Sequence, residues 1–315
     1  MIVATPDSTA MPDPSSEPQA DGSPVFGPAA VSPARLFYWS VRRELWENRF
    51  LYIVPLIVAA VVLFGFAVGA AHPPHTRAAG SAFANHVAVT PLNFAVFALM
   101  LTYVILTLIY CLGALHNERS DRGILFWKSL PVSDATTVIA KASIPIVILP
   151  LITFVVLVVT QGIMLLAGRV ALLENGAGGA ASWVQAPIFP LWAAMLYHLL
   201  TVHALYYAPI YGWLLLVSAW ARRAPILWAT LPVAALLIIE KLVFNSSALA
   251  HMLLSRLGGG PGAIEYPPPG NMPIEAPTLA NLGAFLASPG LWIGFAIGVL
   301  FLAAAVRVRR YQGPI

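Results

Sequence analysis

Charge is what this chain has least of. Only 10% of its 315 residues are Asp, Glu, Lys or Arg, against about 25% in an average soluble domain. With 59% hydrophobic residues beside that scarcity, a soluble globular fold is excluded and a membrane protein is indicated. Cysteine is almost missing. Cys111 stands alone, with no partner for an internal disulfide and no companion thiols for a zinc or iron–sulfur site; inside an apolar run it reads as a small buried hydrophobe. Catalytic signatures are absent as well. There is no HExxH, no GxSxG and no close set of His, Cys, Asp and Glu, which leaves metal-assisted and nucleophilic catalysis without support. No GxxxxGK[ST] phosphate loop occurs, and no lysine follows the glycines of LGGGPG at 257–262, so the chain has no usual means of cradling ATP. A net charge of +4 does not imply nucleic acid, because the basic residues are scattered between apolar runs instead of gathered on one face.

What the chain has in quantity is long apolar runs. Six stretches, about 51–70, 92–114, 142–168, 191–219, 225–243 and 289–306, reach the roughly twenty residues a helix needs to cross the hydrocarbon layer. Their apolar positions are continuous and do not alternate, which favours helices over barrel strands. The expected fold is all-α: a polytopic membrane protein with a six-helix transmembrane domain over 51–312. Pro209 predicts a kink or tilt in the fourth span, and Pro145 and Pro150 a bend at the start of the third. Retention of Lys and Arg on the cytoplasmic side sets the orientation. With both termini inside, thirteen basic residues face the cytoplasm and four (Arg77, Arg169, Lys241 and Arg256) lie outside.

Two segments precede the spans. Residues 1–33 carry seven prolines and four acids and no Lys or Arg. They read as a disordered, dispensable tail, without the basic start or apolar core of a secretory signal. Residues 34–50 place Trp39, Arg43, Trp46 and Phe50 on one helical stripe, which suits either an interfacial elbow helix on the membrane surface or a simple flanking anchor. Between spans five and six, residues 244–288 contain SALAHMLLSRL, a short helix by pattern, then a Gly/Pro-rich stretch and LANLGAFLA. Short apolar helices there leave re-entry into the membrane open.

Charge collects in one place. NERSDRGILFWKSLPVSD, residues 117–134, holds six of the chain's thirty charged side chains. Glu118 and Arg122 stand at i, i+4 with the acid first, which favours a helix running out of span two. Gly123 permits a change of direction, and Pro131 ends the short element that follows. Ser133 or Asp134 can cap a new helix through Lys141 into span three. Ile124, Leu125, Phe126 and Trp127, rimmed by Arg119, Arg122 and Lys128, are either a docking knob for a soluble protein or a segment dipping into the headgroup layer.

The run ER-x-x-x-G-x-x-x-x-x-SLPVS-x-x-x-x-x-x-x-K, at Glu118, Arg119, Gly123, Ser129–Ser133 and Lys141, resembles the first cytoplasmic loop of permease subunits of the type-2 ATP-binding-cassette (ABC) exporter family. The six-span layout, the helix before span one and the long loop before span six are similar too, so the resemblance covers about residues 34–312. It implies that this loop is a cytoplasmic coupling helix docking on a separate ATPase, with Glu118, Arg119, Arg122, Gly123, Ile124, Leu125, Phe126, Trp127, Lys128 and Pro131 at the contact. It also implies two ATPase copies that bind ATP and Mg, a second permease half to form a dimer, membrane lipids around it, and a multi-pass place in the bacterial inner membrane with both termini cytoplasmic. This chain itself would bind no cofactor and catalyse nothing. A scaffold that recruits a cytosolic protein, or a membrane enzyme acting on lipids, are the rival readings.

The remaining candidates are few. Buried charge, costly at mid-membrane, is represented by Glu240 and Lys241 near the outer end of span five, as anchors or an external gate. Tyr206, Tyr207 and Tyr211 beside Pro209 are candidates for a substrate path or for packing. The scarcity of ionisable groups in the spans favours an apolar or amphipathic cargo. His72 and His75 lack a third metal ligand, and His198 and His203, five residues apart, should not share a face of an α-helix.

Overall fold

The computed structural model describes residues 32–71, 81–121, 132–175, 188–257 and 285–312. Every regular element among them is helical. In chain order these are α1 (Pro33–Glu47), α2 (Phe50–Ala71), α3 (Ser81–Gly113), the short α4 (His116–Ser120) and α5 (Asp134–Ser143). A π-helical turn, π1 (Ile144–Ile148), joins α5 to α6 (Leu149–Asn175). Then come α7 (Ile188–His198), a second π-helical stretch π2 (Leu199–Tyr206), α8 (Ala208–Trp220), α9 (Pro225–Phe244), α10 (Ala248–Leu257) and α11 (Pro289–Tyr311). Among the described residues six helices are long and apolar enough to cross a membrane, and the chain is an all-α polytopic membrane protein.

The bundle is built for hydrocarbon on its outside. On α2 the buried residues are Leu51, Pro55, Ala59 and Val62, one stripe at helical spacing, while Ile53, Leu56, Ile57, Val61 and Phe64 point outward. Such an apolar exterior would be an aggregation surface in water and is the ordinary surface of a helix in lipid. α9 is the extreme case: Ala229 is its one buried residue, and it hangs on α8 through the Trp213 indole, which donates to the Ala229 carbonyl at 3.0 Å.

Without an aqueous driving force, close packing decides which helices touch. α11 carries Gly290, Gly294 and Gly298 at four-residue spacing. A Cβ on Gly298 would lie 2.9 Å from the Ala208 carbonyl carbon and oxygen, and one on Gly212 would lie 2.7 Å from the Gly298 carbonyl oxygen. The backbones of α8 and α11 therefore meet directly, and the same buried stripe of α11 (Leu291, Gly294, Gly298, Ala305) ends in Arg309.

The prolines of spans three and four do more than bend them. In π1 the Leu149 amide bonds to the Ile144 carbonyl, and the residue five after Pro145 is Pro150, which has no N–H. The Pro145 carbonyl is satisfied instead by the Tyr103 hydroxyl of α3 at 3.0 Å. At the end of π2 the Tyr207 amide bonds back to the Val202 carbonyl and the Ile210 amide to that of Tyr207, so the Tyr206 carbonyl is passed over. Arg256 of α10 donates its Nε–H to it at 3.0 Å. Freed backbone groups in a membrane must find such partners.

Replacing Gly298 by Leu should lower stability by about 3 kcal/mol, the upper end for overpacking because the obstacle is backbone. Gly290→Ala, with open space around its added methyl, should be neutral or stabilising by up to about 1 kcal/mol. Thermal unfolding of both variants in detergent checks the contrast.

Candidate functional site: a buried charge hub

Seven ionised side chains from four helices meet at one end of the bundle. Glu44 lies on the inward face of α1 and is 1% exposed, where an isolated carboxylate would be costly. It is fully engaged. Its Oε1 accepts from Lys141 Nζ at 2.8 Å and Arg43 Nη2 at 2.9 Å, and its Oε2 accepts from the Tyr110 hydroxyl at 3.0 Å. Glu118, on α4, sits beside it and pairs with Lys141 at 3.0 Å, with Arg43 at 3.0 Å and with Arg309 of α11. Arg309 in turn reaches Asp134 at 3.1 Å, and Arg43 reaches Glu47 at 3.4 Å. The chain of ions thus runs Glu47, Arg43, Glu44, Lys141, Glu118, Arg309, Asp134. At the solvent-facing end, burial raises the Glu47 carboxyl above its ordinary pKa while Arg43 opposes that rise.

Local sequence explains how each element delivers its side chain. Ser133 caps α5 by accepting from the Thr136 amide at 3.0 Å, which leaves Asp134 free to meet Arg309. Lys141 comes two turns further on along the same face, in the turn before π1, and is 2% exposed. The turn from α3 to α4 is fixed by Ser218 of α8: its hydroxyl accepts from the Leu115 and His116 amides, each at 3.0 Å, and donates to the Leu112 carbonyl at 2.8 Å. Arg119 points the same way and donates to the Ala219 carbonyl at 2.6 Å. The C-terminus of α8 is therefore stitched to the start of the charged connection.

Of the residues expected at a partner contact, Glu118 and Arg119 are turned into the bundle and largely buried. Arg122, Gly123, Ile124, Leu125, Phe126, Trp127, Lys128 and Pro131 lie outside the described residues, as do His72 and His75. The two ends of the charged connection are nevertheless joined, because Lys141 bridges to Glu118 across 23 positions of sequence. Glu44, Lys141, Arg309 and Tyr110 were not singled out as site residues by sequence reasoning. The available signal was weak: two acids in a helix rich in arginine and aromatics, and a lysine and an arginine at the ends of apolar runs.

A second polar cluster lies in the middle of the bundle. Tyr103 and Tyr211 share a hydrogen bond at 3.0 Å, and His203 packs edge-on against Tyr103 at 4.8 Å and against His198 at 5.1 Å. The separation of the two histidines expected for an α-helix does not hold, because they flank and enter π2, where the wider turn brings residues five apart together. Tyr206 is buried under Phe285 and the Arg256 guanidinium, and Tyr207 donates its hydroxyl to the Leu257 carbonyl at 2.7 Å. The three tyrosines thus make specific contacts within the chain. Glu240 accepts from the Leu249 amide with both oxygens, at 3.0 and 3.2 Å, and so caps α10; its neighbour Lys241 is exposed. Among the described residues no group of three potential metal ligands occurs.

No family model, curated protein or solved structure matches the chain. The hub's own geometry therefore carries the functional argument.

Buried pairs are weak sources of net stability, but removing one partner strands the other at a cost of about 3–5 kcal/mol. Lys141→Met should show that loss, and Glu44→Gln in the same chain should restore part of it, since Glu118 keeps Arg309 and Arg43. A double-mutant cycle on unfolding in detergent measures the coupling, and additive losses would contradict the shared pairing.

Proposed function

We propose that this chain is the membrane-spanning permease subunit of an ABC exporter, driven by a separate ATPase that docks on the connection between α4 and α5. One observation carries the reading: the base of that connection is clamped by the Lys141–Glu118 pair, and the same pair holds α1 through Glu44 and α11 through Arg309. A push on the loop is delivered to three membrane helices at once. A flexible loop would absorb the movement in its own dihedrals.

The charged end is cytoplasmic in this reading, since thirteen of the seventeen Lys and Arg residues then lie inside, and the membrane is the bacterial inner membrane. Two copies of the ATPase bind ATP and Mg, and a second permease half, another copy of this chain, completes the path. ATP binding draws the ATPases together. Partner binding at Ile124–Trp127 passes that displacement to the hub. α3–α4, α5–α6 and α11, tied together by the hub, then move together. An apolar or amphipathic cargo suits spans in which Asp, Glu, Lys and Arg gather at the ends.

Changing Phe126 and Trp127 together to Ser should leave membrane insertion intact while the ATPase no longer copurifies. In lipid, ATP turnover of the wild-type complex should exceed that of the isolated ATPase, and the double variant should abolish the difference. Retention of a full-strength complex would contradict the docking role; docking without any change in turnover would favour a scaffold that merely recruits its partner.

A further inference from the structure

α1 has two faces with different tasks. At about 3.6 residues per turn, positions 35, 39, 42 and 46 fall within a stripe about 60° wide, directly opposite position 44. Arg35, Trp39, Arg42 and Trp46 therefore alternate cation and indole along one line, while Glu44 faces the hub. The side chains follow that geometry. Arg42 sits over both indoles, 5.0 Å from the Trp39 ring and 4.6 Å from that of Trp46. Arg43, which shares a stripe with the tryptophans in the sequence pattern, is turned inward to Glu44 and Glu118.

This outer face is open and carries one sign of charge. Trp39 and Trp46 are 50% and 61% exposed, Tyr38 beside them is exposed as well, and Arg35 is exposed. Among the described residues neither Arg35 nor Arg42 pairs with a carboxylate; both acids of α1, buried Glu44 and exposed Glu47, are held by Arg43. Depth is fixed by the next helix. α2 begins at Phe50, three residues after α1 ends, and already exposes Ile53, Leu56 and Ile57 to hydrocarbon. The cation–indole ladder thus lies at headgroup level, where tryptophan and arginine are both favoured.

We infer that the outer face of α1 is a selective binding surface for anionic phospholipid headgroups, with Arg35 and Arg42 as the phosphate-contacting cations. Sandwiching between two indoles holds the Arg42 guanidinium in place, so less side-chain freedom is lost when its N–H groups fork onto a phosphate. The indoles meanwhile occupy the space between headgroups. Because Glu44 on the opposite face is tied to Lys141, lipid held by α1 also fixes the position of the hub. The inference stands on the membrane reading alone and not on any ATPase.

The test uses full-length protein, delipidated in detergent and titrated with phosphatidylglycerol or phosphatidylcholine, with bound lipid counted by native mass spectrometry. Wild type should prefer phosphatidylglycerol. Arg42→Gln should weaken its binding roughly fivefold, and Arg35→Gln with Arg42→Gln roughly twenty-five-fold, as expected for about 1 kcal/mol per cation at the surface. Phosphatidylcholine binding should not change. Arg222→Gln with Arg223→Gln removes the same charge from the turn after α8 and should leave the preference intact. Equal losses in that control, unaltered binding in the α1 variant, or displacement of the lipid by equimolar inorganic phosphate would each overturn the assignment.

Discussion

Lys141 is the constraint around which the rest of this molecule is arranged. An ammonium group at 2% exposure cannot remain charged there without carboxylates in contact, and it has two, Glu44 and Glu118. Each of those carboxylates brings further partners. Glu44 requires α1 to lie against the bundle with Tyr110 of α3 beneath it, and Glu118 requires the last turn of α11 to supply Arg309. Packing elsewhere must agree with this. The glycine contact between α8 and α11 sets the height of α11, and so determines whether Arg309 arrives at Glu118.

Pairing of freed backbone carbonyls matters likewise in the middle and at the far end of the bundle. Pro145 and Pro150 free a carbonyl in span three, and Tyr103 closes it; the break after π2 frees the Tyr206 carbonyl, and Arg256 closes it from α10. Gly294 leaves room for the Arg256 side chain, and Glu240 caps the helix that carries it. π1 joins α5, which carries two hub residues, to α6, and π2 leads into α8, whose backbone meets that of α11 at Gly212 and Gly298. These are the elements that must shift if the charged connection is to drive transport. Irregular helices with side-chain-supported carbonyls have alternative hydrogen-bonding registers available to them, which uniform helices lack.

Much of this was legible in the sequence, for definite reasons. Length and hydropathy locate membrane helices because the bilayer fixes the span and demands intra-helical hydrogen bonding. Ser133 as a cap, the short helix ending near Leu257 and the disturbances at Pro145 and Pro209 are local effects of single residues. The hub was not legible as a hub. Glu118 and Lys141 stood in a recognisable pattern, yet nothing local connects Glu44 to Lys141, 97 residues away, or Glu118 to Arg309, 191 away. The exchange of roles between Arg42 and Arg43 was hidden for a similar reason: both fit an amphipathic stripe, and the choice depends on where the carboxylates of other helices stand.

By itself, then, the sequence determined which segments are helical, which of them are apolar enough for lipid, and where charge is concentrated, since each is a property of neighbours along the chain. Tertiary structure alone decided which charges neutralise one another, which carbonyls freed by proline are rescued, and which face of α1 is left exposed. Those outcomes depend on distances between helices, and interhelical distances in lipid are set by backbone contact at small residues and by the pairing of buried polar groups, neither of which is encoded in any one segment.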